Sequence, residues 1–241
     1  MKAIILWMFL TTIMPLSFAQ VEWHQKKEKP RWENEKIPTQ CYVEFQRTHS
    51  YRILQSNTEF LNTPLGQRAD ETPMYVWSYG AGILTNLGRF GRLETGIQWI
   101  QNGEGFHFSS PINDSSYHYE SRYRYIGLPF AVMFTYGKKA SFFIGPGLTP
   151  MLFSGFAQKT NWTNAYGSQN EERINIKNNS YASAAIQVFG QIGFQIRGDS
   201  GWGSYVKGVY RRQISNTYSK YNDFIHRAIG WGIYAGITKQ L

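Results

Sequence analysis

The stretch Arg122–Leu152, RYRYIGLPFAVMFTYGKKASFFIGPGLTPML, constrains the fold more than any other. Ile126, Leu128, Phe130, Val132, Phe134 and Tyr136 share one parity before the polar turn Gly137-Lys138-Lys139, and Phe142, Ile144, Leu148 and Leu152 share one after it. Period two on both sides of a short turn is the signature of a β-hairpin. The opposite face carries Tyr125, Gly127, Ala131, Thr135, Gly145, Gly147 and Thr149, where a soluble hairpin would show Lys, Glu and Asp. One strongly apolar face backed by a small or polar one is what a membrane-barrel strand requires, because lipid covers one side and a narrow lumen the other.

The same alternation recurs in Cys41–Leu54, Met74–Leu87, Arg92–Phe106, Tyr181–Arg197, Ser204–Ser215 and Arg227–Gln240, so with the two hairpin arms eight runs are expected. The run Ile186–Arg197 is the cleanest, with Ile186, Val188, Ile192, Phe194 and Ile196 opposing Gln187, Gln191, Gln195 and Arg197. Short turns such as Gly88–Gly91, Gly137–Lys139 and Gly198–Gly201 alternate with long connections at 55–73, 107–118, 156–180 and 216–226. Outer-membrane barrels combine an even strand number with short turns at one end and long loops at the other. The expected fold is therefore all-β: an eight-stranded antiparallel up-and-down transmembrane β-barrel over residues 41–241. A soluble lipocalin-like carrier has the same strand count but turns its apolar face inward. The 16 Tyr and 8 Trp favour the membrane version, where aromatic rings girdle both interfaces.

The N-terminus adds a compartment. Lys2, the apolar run Ala3–Leu16 and Ser17-Phe18-Ala19 read as a signal peptide, residues 1–19. Residues 20–40 mix Lys, Arg and Glu with two prolines and no apolar period, a polar periplasmic segment. The net charge of +9 is scattered and meets no nucleic-acid-binding motif, so no nucleic-acid partner is expected. A lone Cys41 excludes an internal disulfide.

Glu44, Glu94, Arg197, Lys207 and Arg211 fall on inward parities. In so narrow a barrel they are expected to form an interior charge network, since charges away from water need partners. His24, His49, His107, His118 and His226 make no metal-ligand spacing, and neither a metal nor a cofactor is expected. His107, Ser109, Ser110, His118 and Glu120 are the candidates for a lipid-modifying barrel enzyme, but no nucleophile–base order is evident and no catalytic residue is assigned. Two features strain the pattern. Arg47 falls on an outward parity, which calls for a bulge or a phase change, and Pro129, Pro146 and Pro150 call for bulges or a break near Pro150.

Leu93–Gly103 resembles the strand that ends in a polar residue and Gly in PorT-like outer-membrane barrels of Bacteroidetes. Tyr125-Ile126-Gly127-Leu128-Pro129 is similar to that family's Tyr-x-x-(Ile/Leu)-Pro strand entry, with the apolar residue shifted next to the proline, and Phe142–Gly147 to its glycine-rich strand. The resemblance implies an eight-stranded barrel in the bacterial outer membrane. It also suggests a non-enzymatic structural or interaction role in the envelope, as an accessory of a secretion complex, with outer-membrane lipid and an envelope protein as partners. The chain departs from the family's aromatic C-terminus, ending Lys239-Gln240-Leu241.

Overall fold

The computed structural model describes residues 38–57, 65–88, 90–177, 180–220 and 222–241. The expected signal peptide and nearly all of the polar segment lie outside the described residues. Among the described residues ten strands follow in order: β1 (Gln40–Ser56), β2 (Thr72–Asn86), β3 (Gly91–Ser109), β4 (Ser116–Gly127), β5 (Phe130–Gly137), β6 (Ala140–Thr163), β7 (Gln169–Ile176), β8 (Ala184–Arg197), β9 (Trp202–Gln213) and β10 (Phe224–Gln240). A 3₁₀ turn, Gly66–Asp70, precedes β2. Each neighbouring pair is antiparallel, and β1 closes on β10 from Gln40↔Gln240 to Ser56↔Phe224 without a shift. β4 and β5 both lie between β3 and β6 and act as one interrupted staircase, so the ring has eight members. This is the expected up-and-down barrel.

Alternation decides which face goes where. Along β1, Tyr42, Glu44, Gln46, Thr48 and Ser50 are buried, while Val43 and Phe45 are exposed. The exposed apolar set reaches every member of the ring: Phe45, Trp77, Ile97, Val132, Ile144, Ile192, Val206 and Ile233. A protein partner would cover one side. A belt around all eight members needs a continuous apolar medium, which is the hydrocarbon of a bilayer. Burial of Glu, Gln and Thr inside is the reverse of what an apolar-ligand carrier of the lipocalin kind requires.

Three expectations are corrected by the register. Arg47 is not rescued by a bulge or phase change: β1 pairs evenly with β10 and with β2, and Arg47 stays on the outer wall. Its guanidinium lies 4.8 Å from the Tyr75 ring centroid and 5.7 Å from that of Trp77. A long side chain can lie over aromatic rings with its charge toward the interface, which relieves the cost of its position. The second correction concerns the prolines. The break falls at Leu128-Pro129, between β4 and β5, and β6 runs through Pro146 and Pro150 unbroken.

The hydrogen bonds explain why. The Ile186 N–H donates to Ser215 and its C=O accepts from Ile214, so both point toward β9. Ile186 is the β8 partner of Pro150, so the backbone polar groups of Pro150 must face the other way, toward the break. There its carbonyl accepts the Leu128 N–H at 2.9 Å. Pro146 has the same parity, and β5 pairs on either side of it, at Ala131↔Gly147 and Phe134↔Ile144, in constant register. The missing donors of Pro146 and Pro150 thus lie on one seam, between β6 and the β4–β5 break, while Pro129 sits in the break itself. The bulge of this region sits elsewhere, at Ser154, where Arg124↔Gly155 is followed by Tyr125↔Phe153.

The third correction is at 156–180, expected as a loop. β6 continues to Thr163, turns through Asn164–Ser168 with Gly167 at φ +79°, and returns as β7. Together with the ends of β3 and β4 it makes a sheet that stands beyond the closed ring.

Glycine is required where β2 and β3 approach closely. Gly82 is paired with Gly96, and a Cβ on either would run into the backbone carbonyl of Thr95 or of Ala81. Gly96→Ala is therefore expected to cost on the order of 1–3 kcal/mol. Heat-modifiable gel migration reads this as a lower temperature for conversion of the compact form. An unchanged conversion temperature would mean the strands are free to separate there.

Candidate functional site

The lumen is filled in layers. Nearest the short turns, Arg92 is 2 % exposed and donates to Gln195 Oε1 and Gln40 Oε1, both at 2.8 Å. Above it Lys207, on β9, reaches across the barrel. Its Nζ lies 2.9 Å from Glu44 Oε2 and 2.8 Å from Glu94 Oε1. The rings of Tyr42, Tyr205 and Tyr234 surround the ammonium at 5.9, 5.6 and 5.8 Å. Tyr205 Oη and Gln98 Nε2 donate to Glu44 at 2.7 and 3.1 Å, Gln46 Nε2 donates to the same carboxylate, and Gln191 Nε2 donates to Glu94 at 2.7 Å. Three of the five inward charges named from the sequence therefore meet in one cluster.

The other two lie apart from it. Arg211 donates to the Gln101 carbonyl at 2.6 Å and to Asn102 Oδ1 at 2.9 Å, one layer higher. Arg197 is at the short-turn rim, with its guanidinium on the Lys138 carbonyl. Parity placed all five inward, but depth along each strand decides which can touch, and depth depends on the stagger between strands.

A second polar cluster, which parity at the first charged layer did not reveal, closes the loop end. Arg52 pairs with Glu71, and its Nε lies 3.7 Å from Glu104 Oε1. His226 is 1 % exposed, with Nε2 3.2 Å from Glu104 Oε2 and Nδ1 2.8 Å from Thr217 Oγ1. Tyr123 Oη donates to Glu104 at 2.8 Å, and Tyr119 Oη to Glu71 at 2.5 Å. Glu71 belongs to the connection before β2. Burial, then the neighbouring Glu104 carboxylate, pushes its pKa up against the Tyr119 hydrogen bond and the Arg52 charge. Above this floor opens a cup of about 250 Å³. Phe156 and Tyr181 stack in its wall with centroids 5.4 Å apart, and Arg68 lies over the Tyr218 ring. Glu104 and His226 share the inward parity of Glu94 and Ala228, so carrying that parity past the first charged layer would have found them.

The candidate enzyme residues lie on the outer face near the loop end. Ser109 Oγ is 3.0 Å from His107 Nε2, while Glu120 Oε1 is 3.7 Å from His118 Nε2, and the two rings are 5.8 Å apart. The hydroxyl and the carboxylate thus sit on different imidazoles, whereas a nucleophilic triad needs both on one. Among the described residues no group of three His, Cys, Asp or Glu side chains is placed to hold a metal ion.

No family model matches this chain and no curated protein does. Solved structures similar to it include Neisserial surface protein A, at 9% identity over 83% of this chain and 97% of that one, with a TM-score of 0.41. Ail, the attachment invasion locus protein of Yersinia pestis, in complex with the heparin analogue sucrose octasulfate, has 9% identity over 84% of this chain and 99% of its own, with a TM-score of 0.32. The outer membrane protease OmpT from Escherichia coli has 10% identity over 87% and 100%, with a TM-score of 0.46.

Lys207 is the test of the lumen. Lys207→Met leaves two carboxylates buried face to face, at an expected cost of about 3–5 kcal/mol. Adding Glu44→Gln and Glu94→Gln to it should recover most of that loss. Urea unfolding in lipid vesicles, followed by tryptophan fluorescence, reads both. A triple variant as unstable as the single one would show that the ammonium does not act through its carboxylates.

Proposed function

We propose that this chain is a non-enzymatic outer-membrane barrel of the bacterial envelope, delivered by a cleaved signal peptide, whose lumen is a plug and whose work is done by the surface it presents beyond the membrane. The observation that carries this reading is the filled interior: Lys207, Glu44 and Glu94 bridge the barrel, with the Arg92 layer below and the Glu104–His226 layer above. An eight-stranded barrel is just wide enough for its side chains, and here they are paired with each other across it. What remains for function is outside: the β3–β4–β6–β7 sheet and the cup.

The resemblance to PorT-like barrels supports the finer role of accessory to a secretion or envelope complex. A protein partner would engage the outer sheet, while lipid covers the belt.

Planar-bilayer recordings test the plug. The wild-type chain is expected to give no steady conductance, and the combined variant Glu44→Ala, Glu94→Ala and Lys207→Ala a small persistent leak. Steady wild-type channels would overturn the plug. Recovery of the protein in the soluble fraction, without heat-modifiable migration, would overturn the membrane reading itself.

A further inference from the structure

The outward row of β4 changes character abruptly. From Tyr136 up to Ile126 the outer positions of β5 and β4 are apolar, and the next two outward residues are Arg124 and Arg122. Ile126 to Tyr136 rises roughly 25 Å, from about 3.4 Å per residue and a strand tilt of about 40°. That is the height of the lipid-facing band, so Arg124 sits where hydrocarbon gives way to headgroups.

The register adds to this pair from two more strands. Glu120 lies opposite Lys159 on β6, and Lys159 opposite Arg173 on β7, so both further cations share the outer face with Arg122 and Arg124. Gly155 and Ala157 stand opposite Arg124 and Arg122, and their small side chains leave a groove of about 350 Å³ lined by all four cations. Two carboxylates face it, Glu120 and Glu171. Arg122 pairs with Glu120 at 2.9 Å, and Lys159 and Arg173 share Glu171 at 3.3 and 2.6 Å. His118 also reaches Glu120, at 3.7 Å. The Arg124 side chain has no hydrogen-bond or ion-pair partner among the described residues, and the groove keeps a positive excess.

We propose that this groove binds the phosphate of a glycolipid in the surrounding outer leaflet, with Arg122 and Arg124 as the phosphate ligands and Lys159 and Arg173 supplying the field behind them. The lipid source follows from position. The groove opens on the outer wall directly above the Ile126 row, so acyl chains lying on that row bring a headgroup to Arg124. Guanidinium groups match phosphate oxygens in geometry as well as charge. The inference rests on the membrane-inserted reading proposed above.

The test uses the full-length protein in phosphatidylcholine discs, doped either with bis-phosphorylated lipid A or with the same lipid stripped of its phosphates. Native mass spectrometry counts the retained glycolipid. Wild type is expected to retain the phosphorylated form in preference, and the Arg122→Gln, Arg124→Gln double variant to retain it about tenfold less, with Lys139→Gln at the opposite rim unchanged. Heat-modifiable migration of each variant shows that it is folded and inserted. Equal retention of the two lipids, or no loss in the double variant, overturns the groove while leaving the barrel standing. Inorganic phosphate displacing the lipid at low millimolar concentration overturns the lipid assignment. Failure to insert overturns the membrane reading instead.

Discussion

Closure of β1 on β10 is the constraint on which the rest of this structure depends. In hydrocarbon an unpaired N–H or C=O has no water to turn to, so a sheet in a bilayer must leave no edge. The chain meets that demand by pairing its first and last strands along their whole length. Closure at eight members also fixes the width of the interior, and that width determines what the inward side chains can be. They are too close to line a water-filled pore, so each buried charge must find its partner across the barrel. Lys207 between Glu44 and Glu94, within a ring of tyrosines, is the result.

The same demand explains how the prolines are tolerated. A closed ring cannot scatter missing donors around its circumference without weakening every seam. Pro146 and Pro150 instead fall on one, where β4 and β5 meet β6, Pro129 falls in the break between β4 and β5, and the opposite side of β6 keeps an unbroken ladder with β8 from Ala140 to Leu152. One imperfect seam backed by the intact β6–β8 ladder keeps the ring closed.

What could be read from the sequence was what lipid imposes. Eight alternating runs, clearest in the Ile126–Tyr136 row and in Ile186–Arg197, carried the strand number and the facing of the side chains, and the short and long connections carried the turn end, because a bilayer penalises a slip in parity. Beyond the bilayer that penalty disappears. Gln158–Thr163 and Gln169–Ile176 are strands without an apolar face, and polar composition alone read them as loop. Arg47 misled in the other direction, since hydropathy registers its charge but not the Tyr75 and Trp77 rings beneath it. In the lumen, parity placed Arg197 and Arg211 inward with Lys207, but only the stagger of the strands shows that they sit at other depths.

Along β5 the even positions face lipid and the odd positions face the lumen. Nitroxide labels placed one at a time from Phe130 to Tyr136, in a Cys41→Ser background reconstituted in bilayers, measure this most directly through paired collision rates with oxygen and with a water-soluble nickel complex. A period of two is expected: Phe130, Val132 and Phe134 exposed to oxygen and shielded from nickel, with Ala131, Met133 and Thr135 shielded from both. Outer positions as accessible to nickel as to oxygen would place that face in water and contradict it.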